Sequence, residues 1–118
     1  LNGDMEKNKS IIRKLLRRKN RPDGIFSPVE QLAICSYEIC EELKIDIPKD
    51  IKIISFSNLQ TASMLNPSLT TITQPAYEIG REAASILFKL IEKKGFNFIL
   101  EKTVLKSQLI ERNATRKN

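Results

Sequence analysis

The run "IKIISFS" at positions 51–57 leaves the fewest options for the fold. It is nearly continuous in β-forming residues, with Pro48 shortly before it and Asn58 directly after it. That pattern reads as a central strand of a parallel sheet covered on both faces, rather than a half-exposed strand that alternates apolar and polar residues. Parallel neighbours need crossover connections, so helices are expected on either side of it.

The flanking sequence supplies them. Residues 6–19 carry Ile11, Ile12, Leu15 and Leu16 at helical spacing among basic residues, an amphipathic helix with one narrow buried face. Asn20-Arg21-Pro22-Asp23 stops it, and "GIF" then reads as a short buried strand. At Ser27-Pro28-Val29-Glu30 a capping box is expected, with Ser27 and Glu30 exchanging side-chain to backbone bonds and a helix starting at Ser27. Leu32, Ala33, Ser36, Ile39, Cys40 and Leu43 mark its buried face, and Pro48 ends any continuation. Residues 58–65 read as a short helix capped by Asn58, and residues 69–73, "LTTIT", as an extended segment. A helix over residues 75–94 follows, with Ile79, Ala83, Leu87, Leu90 and Ile91 on one face and Gly95 as its stop. Residues 97–112 read as one or two strands, and residues 113–118 as a loose tail. Helices alternating with apolar strands make the fold class layered α/β, a mainly parallel sheet with flanking helices.

Several chemistries are excluded. With no histidine among 118 residues, Ser-His-Asp and Cys-His nucleophilic machinery is absent, and two cysteines cannot build a structural zinc site. Cys35 and Cys40 lie five residues apart on one helix, pointing to different sides, and are read as small buried side chains. No glycine-rich phosphate loop follows a strand, so no cofactor, catalytic residue or metal site is expected. The net charge of +6 and the "RKLLRRKNR" run invite a nucleic-acid reading. These bases lack interleaved aromatics and are better explained as cations complementing the C-terminal end of a solvated helix. No segment is apolar for the roughly 18 residues a membrane span needs. The expectation is a soluble, cytoplasmic chain without membrane contact, and the start at Leu1 suggests that an N-terminal portion lies upstream.

"RPDGIFSPVEQLA", "LKIDIPKDIKIISFSN", "NPSLTTITQPAYEIGREAASILF" and "LKSQLIERNAT" occur in the order, and near the spacing, seen in LacI/GalR-type transcription regulators. Residues 21–115 resemble the C-terminal part of their effector-binding module, a periplasmic-binding-protein-like type I fold. The resemblance implies two α/β lobes joined by crossing strands, with a small effector in the cleft between them. Residues 1–73 and about 97–115 would supply C-terminal-lobe elements, and the helix within residues 74–96 would belong to the N-terminal lobe. A crossing strand that partly faces cleft and solvent would account for the threonines of "LTTIT", whose hydroxyls serve neighbouring backbone or ligand. A partly exposed edge strand is the plainer alternative.

Family members commonly carry Asn-Asp where this chain has Val29-Glu30, and Gly-Phe/Tyr-Asp-Asp/Asn where it has Ser55-Phe56-Ser57-Asn58. The asparagine and the first of those acids are frequent effector contacts in the family. Here they are Val29 and Ser57, which argues against borrowing a standard sugar site, since each lost polar contact is worth about 0.5–1.5 kcal/mol. Either the cleft recognises a different effector through Val29, Ser57 and Gln74, or effector binding has been lost; the first is preferred because those residues still suit a mostly apolar pocket. Glu30 is assigned to the capping box. Ile34, Met64 and Leu65 fall near the surface on which such regulators dimerise, although helical periodicity alone also allows core positions.

The implied function is non-enzymatic: the effector-binding and dimerising part of a DNA-binding regulator whose headpiece lies outside this chain. Its partners are a small effector, operator DNA through that missing headpiece, and a second copy of itself. A secreted sugar-binding transport protein of the same fold is the alternative. The apolar face of the 75–94 helix is expected to drive homodimerisation or higher self-association.

Overall fold

The computed structural model describes residues 4–92 and 102–116. The elements run α1 (Met5–Leu16), β1 (Gly24–Ser27), α2 (Glu30–Leu43), β2 (Lys52–Phe56), a 3-10 helix (Gln60–Met64), β3 (Thr70–Thr73), α3 (Ala76–Glu92) and β4 (Gln108–Ile110). The strands form one sheet in the order β1-β2-β3-β4. β1 and β2 pair in parallel with Phe26 opposite Ile54, and β2 and β3 with Ile54 opposite Thr70. The layered, mainly parallel α/β class is therefore observed. Residues 93–101, which include Gly95 and the first part of the expected terminal strands, lie outside the described residues.

Two compact units make up the chain: residues 1–73 with 109–118, and residues 74–108. In the first, α1 and α2 pack on each other and α2 packs on β1 and β2. Ile12 and Leu16 of α1, Ala33, Cys35, Ile39 and Cys40 of α2, and Ile51, Ile53 and Leu69 share one core. Asp4 starts α1 by accepting from the Lys7 N–H at 3.2 Å. Of its large apolar residues Ile12 and Leu16 are buried, Met5 is partly buried and Ile11 and Leu15 are exposed, and Asn8 takes the next buried position one turn back. Both cysteines are buried and free, as the spacing required.

Strand β2 is not covered equally on both faces. Ile53 and Ser55 are buried while Lys52, Ile54 and Phe56 are only half-buried, and Phe26, in register with Ile54, is 59% exposed. α1 and α2 serve one face of the sheet, and no described element of this unit buries the other to the same depth.

Three expectations about ends fail for related reasons. α2 begins at Glu30 with Val29 as an N-cap lacking any side-chain bond, because the Ser27 hydroxyl donates to the Val29 carbonyl at 2.8 Å instead of capping. The 3-10 helix is preceded by Leu59 rather than capped by Asn58, and Leu59 N–H donates to Ser57 Oγ at 2.8 Å. Residues 113–116 are no loose tail: Ala114 is fully buried, donating to Ser68 O at 2.9 Å and accepting from Ile53 N–H at 3.2 Å. Local competition for hydroxyls decides the first two, and the third rests on partners far away in sequence.

β3 is an inner strand between β2 and β4, so the edge-strand alternative does not hold. Nor do its first hydroxyls face solvent, since Thr70 and Thr71 are buried. Thr70 Oγ1 accepts from the Arg112 N–H at 2.9 Å and lies 2.7 Å from Thr115 Oγ1, while Arg112 Nη1 donates to Thr71 Oγ1 at 3.0 Å and to Leu69 O at 2.7 Å. Arg112 meets Thr70 and Ala114 meets Ser68, so the returning chain runs against the direction of β3.

The second unit is described through α3. It is amphipathic, with Ile79, Leu87, Leu90 and Ile91 at helical spacing, yet no described residue of α3 is buried.

Candidate functional site

In open parallel α/β sheets, ligands gather outside the carboxyl ends of the strands. In the first unit those ends are Ser27 of β1, followed by Pro28-Val29-Glu30, and Phe56 of β2, followed by Ser57-Asn58-Leu59. β1 and β2 are neighbours, which brings the two segments together. Across them Ser57 Oγ donates to Glu30 Oε1 at 2.8 Å. The same oxygen accepts from Leu59 N–H, and the Ser57 N–H continues the sheet to Ile72 O at 3.0 Å. Ser57 is only 3% exposed, whereas Glu30 is half-buried.

Of the residues expected to contact a ligand, Val29 and Ser57 therefore do converge. Val29 is 50% exposed with extended backbone, so its methyl groups are available at the strand end. Ser57 is held beneath Glu30. Gln74 directly follows β3 and opens the second unit; it is exposed and is described with that unit. Glu30 is the residue that sequence reasoning misassigned: the capping pattern in Ser27–Glu30 is genuine as a sequence signal, but the carboxylate accepts from Ser57, directly after β2 and 27 positions away. A carboxylate directly after one strand and a hydroxyl directly after the next was the signal that could have found the pair.

A separate open hollow of about 500 Å³ lies against the C-terminal half of α2, lined by Ile34, Tyr37, Ile45, Ile47, Leu65 and Pro67 among others. The segments framing it lead into β2 and β3 rather than out of them, so it belongs to the opposite end of the sheet from Glu30 and Ser57. It brings together Ile34 and Leu65, two of the three residues expected at a dimer surface. The third, Met64, is 80% exposed next to Leu65. Tyr37 spans the hollow's wall, its hydroxyl donating to Pro67 O at 2.8 Å.

The titratable groups here do not suggest catalysis. Burial pushes the Cys40 thiol up to about 11, and desolvation raises Cys35 and Tyr37 as well, so neither thiol is poised as a thiolate. Ser57 has a carboxylate beside it but no imidazole to relay its proton. Among the described residues no three His, Cys, Asp or Glu side chains gather where they could hold a metal ion. No described helix is long and apolar enough to cross a membrane. The strand ends carry a hydrogen-bonded carboxylate, Glu30, next to the half-exposed Val29 side chain.

The periplasmic binding protein-like domain family matches residues 2–115. The HTH-type transcriptional regulator RegA of Clostridium acetobutylicum is 36% identical over 76 residues, which is 64% of this chain and 23% of its own length. The ribose operon repressor of Escherichia coli K12 is 33% identical over 91 residues, 75% of this chain and 28% of its own. A crystal structure of a LacI family transcriptional regulator from Enterococcus faecalis V583 with bound ribose is similar at TM-score 0.79 and 28% identity, over 97% of this chain and 41% of that one. The chain spans about a quarter of the length of the curated relatives it matches.

Proposed function

The chain belongs to the periplasmic binding protein-like domain family, in its LacI-type regulator branch, and from that premise we propose that it is the C-terminal part of the effector-binding module of a DNA-binding transcription regulator. A small molecule at the carboxyl ends of the strands would bias the arrangement of the module and so the affinity of a separate DNA-binding domain for its operator. The observation that carries the reading is the family match over residues 2–115, joined to a built polar pair, Glu30 and Ser57, where such folds bind ligands. The relatives are transcription regulators, not enzymes, which favours this reading over a transport protein. In this proposal residues 1–73 and about 97–115 serve the C-terminal lobe, and the helix within 74–96 serves the N-terminal lobe. The division of the chain at Thr73/Gln74 supports the first boundary, whereas the return to the first unit falls at Leu109 rather than near residue 97.

The protein works in the cytoplasm as a homodimer, with Ile34, Met64 and Leu65 at the contact. The open hollow at Ile34 and Leu65, whose mixed lining also carries Glu38, Glu41 and Asp46, and the exposure of Met64 support that placement. Val29, Ser57 and Gln74 remain in the effector's surroundings, with Ser57 as support. Ribose is the first effector to try, because the Enterococcus faecalis structure contains it.

The test is fluorescence anisotropy of the full-length protein on labelled DNA from upstream of its own reading frame, with and without D-ribose and other sugars. Sequence-selective binding that one small molecule shifts is the expected result. Binding that no competitor sequence can distinguish, or the absence of DNA binding, overturns the proposal.

A further inference from the structure

We infer that the side of α1 turned away from α2 is a docking surface for a helix of a separate, acidic protein, one that carries carboxylates four residues apart beside apolar side chains. This surface is distinct from the strand ends and from the hollow on α2.

The sides of α1 have three different fates. Ile12 and Leu16 enter the core. Next to them Lys9, Arg13 and Arg17 turn toward α2, where Lys9 meets Glu38 at 2.7 Å, Arg13 meets Glu42 at 2.7 Å and Arg17 lies 3.9 Å from Glu42. The third side carries Lys7, Ile11, Lys14 and Leu15, at the i, i+4, i+7 and i+8 spacing of one helical face, with Arg18 just past the helix end. These residues are all exposed, Ile11 by 45% and Leu15 by 38%. Among the described residues none of Lys7, Lys14 and Arg18 makes an ion pair, whereas each of the bases facing α2 does.

That contrast points to the occupant. On the α2 side, bases four residues apart, Lys9 and Arg13, receive carboxylates four residues apart, Glu38 and Glu42, along a shared apolar seam, and so one helix docks on the other. The outer side repeats the arrangement without a partner, with Ile11 and Leu15 set among Lys7, Lys14 and Arg18. Its complement is a second acidic, amphipathic helix. A nucleic acid suits it less well, because phosphates leave Ile11 and Leu15 unused and the stripe has no aromatic side chain on which a base could stack. A lipid surface needs a broad apolar face, and α1 has already given Ile12 and Leu16 to the core. A second copy of this chain could offer Glu38, Glu41 and Asp46 of its hollow, but a stripe on one copy meeting a hollow on the next is a head-to-tail contact with no built-in closure. From Lys7 to Leu15 the helix rises only about 12 Å, so the contact is small and the complex transient.

The test titrates the full-length protein into a fluorescein-labelled, alanine-based helical peptide that bears glutamates four residues apart beside leucines, with anisotropy as the readout. Comparison probes are the same peptide with glutamine for every glutamate, a DNA duplex of arbitrary sequence, and phosphatidylglycerol vesicles. The wild type is expected to bind the acidic peptide about 10-fold or more tightly than the glutamine peptide, and to lose most of that preference in about 1 M salt. Lys14→Glu with Arg18→Glu should weaken the acidic peptide by about 10-fold or more, and Ile11→Ser with Leu15→Ser by about 3- to 10-fold. Lys14→Arg should keep the affinity. Lys49→Glu with Lys106→Glu makes the same change of net charge elsewhere and should leave it unaltered, and circular dichroism checks that each variant is folded. An acidic peptide that does not bind, a glutamine peptide that binds as well, or equal weakening by the Lys49 and Lys106 changes overturns the inference. A preference for the duplex or the vesicles that Lys14→Glu with Arg18→Glu removes overturns it in favour of nucleic acid or membrane. A salt-sensitive rise in the mass of the protein alone, abolished by the same pair of changes, overturns it in favour of a second copy.

Discussion

Ser55 and Thr70 show how far a buried hydroxyl's value depends on its partner. Thr70 Oγ1 serves the N–H and C=O of Arg112 and the hydroxyl of Thr115. Ser55 Oγ, equally buried, has no partner among the described residues. Thr70→Val is therefore expected to destabilise the chain by about 1–3 kcal/mol in urea unfolding, because it leaves the partly buried Arg112 N–H without its acceptor. Ser55→Ala should cost nothing and is expected to stabilise by about 1 kcal/mol in the same measurement. From sequence these residues look alike, since each is a small polar residue in a β-forming run. What separates them is a contact 42 positions along the chain, which no local pattern encodes. The thiol of Cys40 carries a pH dependence of its own. Burial holds its folded pKa near 11 against an ordinary 9.0, so below about pH 9 both states keep the proton and the contribution to stability is whole. Between about pH 9 and 11 the unfolded chain ionises first and stability is lost. The half-buried Tyr37 hydroxyl, raised by desolvation, adds to the loss in the same direction. Urea midpoints measured from pH 8 to 10.5 should fall for the wild type and fall less steeply for Cys40→Ala.

At the scale of elements, the helices and strands were legible wherever the signal was periodic and long: α2 and α3 fall within two or three residues of expectation, and "IKIISFS" does become the strand it demanded. Ends were less legible. The capping box over Ser27 to Glu30 failed because Glu30 had a tertiary partner and Ser27 a nearer carbonyl, and either option competes with a cap worth only about 1 kcal/mol. Of the candidate site, the positions of Val29 and Ser57 at neighbouring strand ends could be read from sequence, but the role of Glu30 could not. Packing between helices adds a further feature invisible to periodicity, a ladder of ion pairs joining α1 to α2. Arg13 bonds both carboxylate oxygens of Glu42 at 2.8 and 2.7 Å, and Lys9 lies 2.7 Å from Glu38. The hydrogen bond from Arg13 lowers the Glu42 carboxyl below its ordinary value, so its share in docking α1 is fully present above the unfolded pKa and is lost as pH falls through the folded one. Glu42→Gln should accelerate amide hydrogen exchange across α1 at neutral pH and low salt. The gap from wild type should narrow in 1 M salt, as expected of exposed charges.

For the whole molecule, the leading fact is that α3 keeps Ile79, Leu87, Phe88, Leu90 and Ile91 exposed. A row of large apolar side chains in water is unfavourable, at roughly 25 cal/mol per Å² that burial would recover. The 118-residue chain by itself is expected to self-associate, which multi-angle light scattering across a concentration series would record as a rising mass. Leu87→Glu with Ile91→Glu should return it toward the monomer, whereas a wild-type chain that stays monomeric at every concentration would contradict the expectation. The chain leaves the first unit at Thr73 and re-enters it at Leu109, on strands that lie side by side and run in opposite senses. Topologically, the 35 residues of the second unit are an insertion at a hairpin: a short turn could close β3 onto β4 and leave the sheet, its two helices and the Glu30–Ser57 pair unbroken.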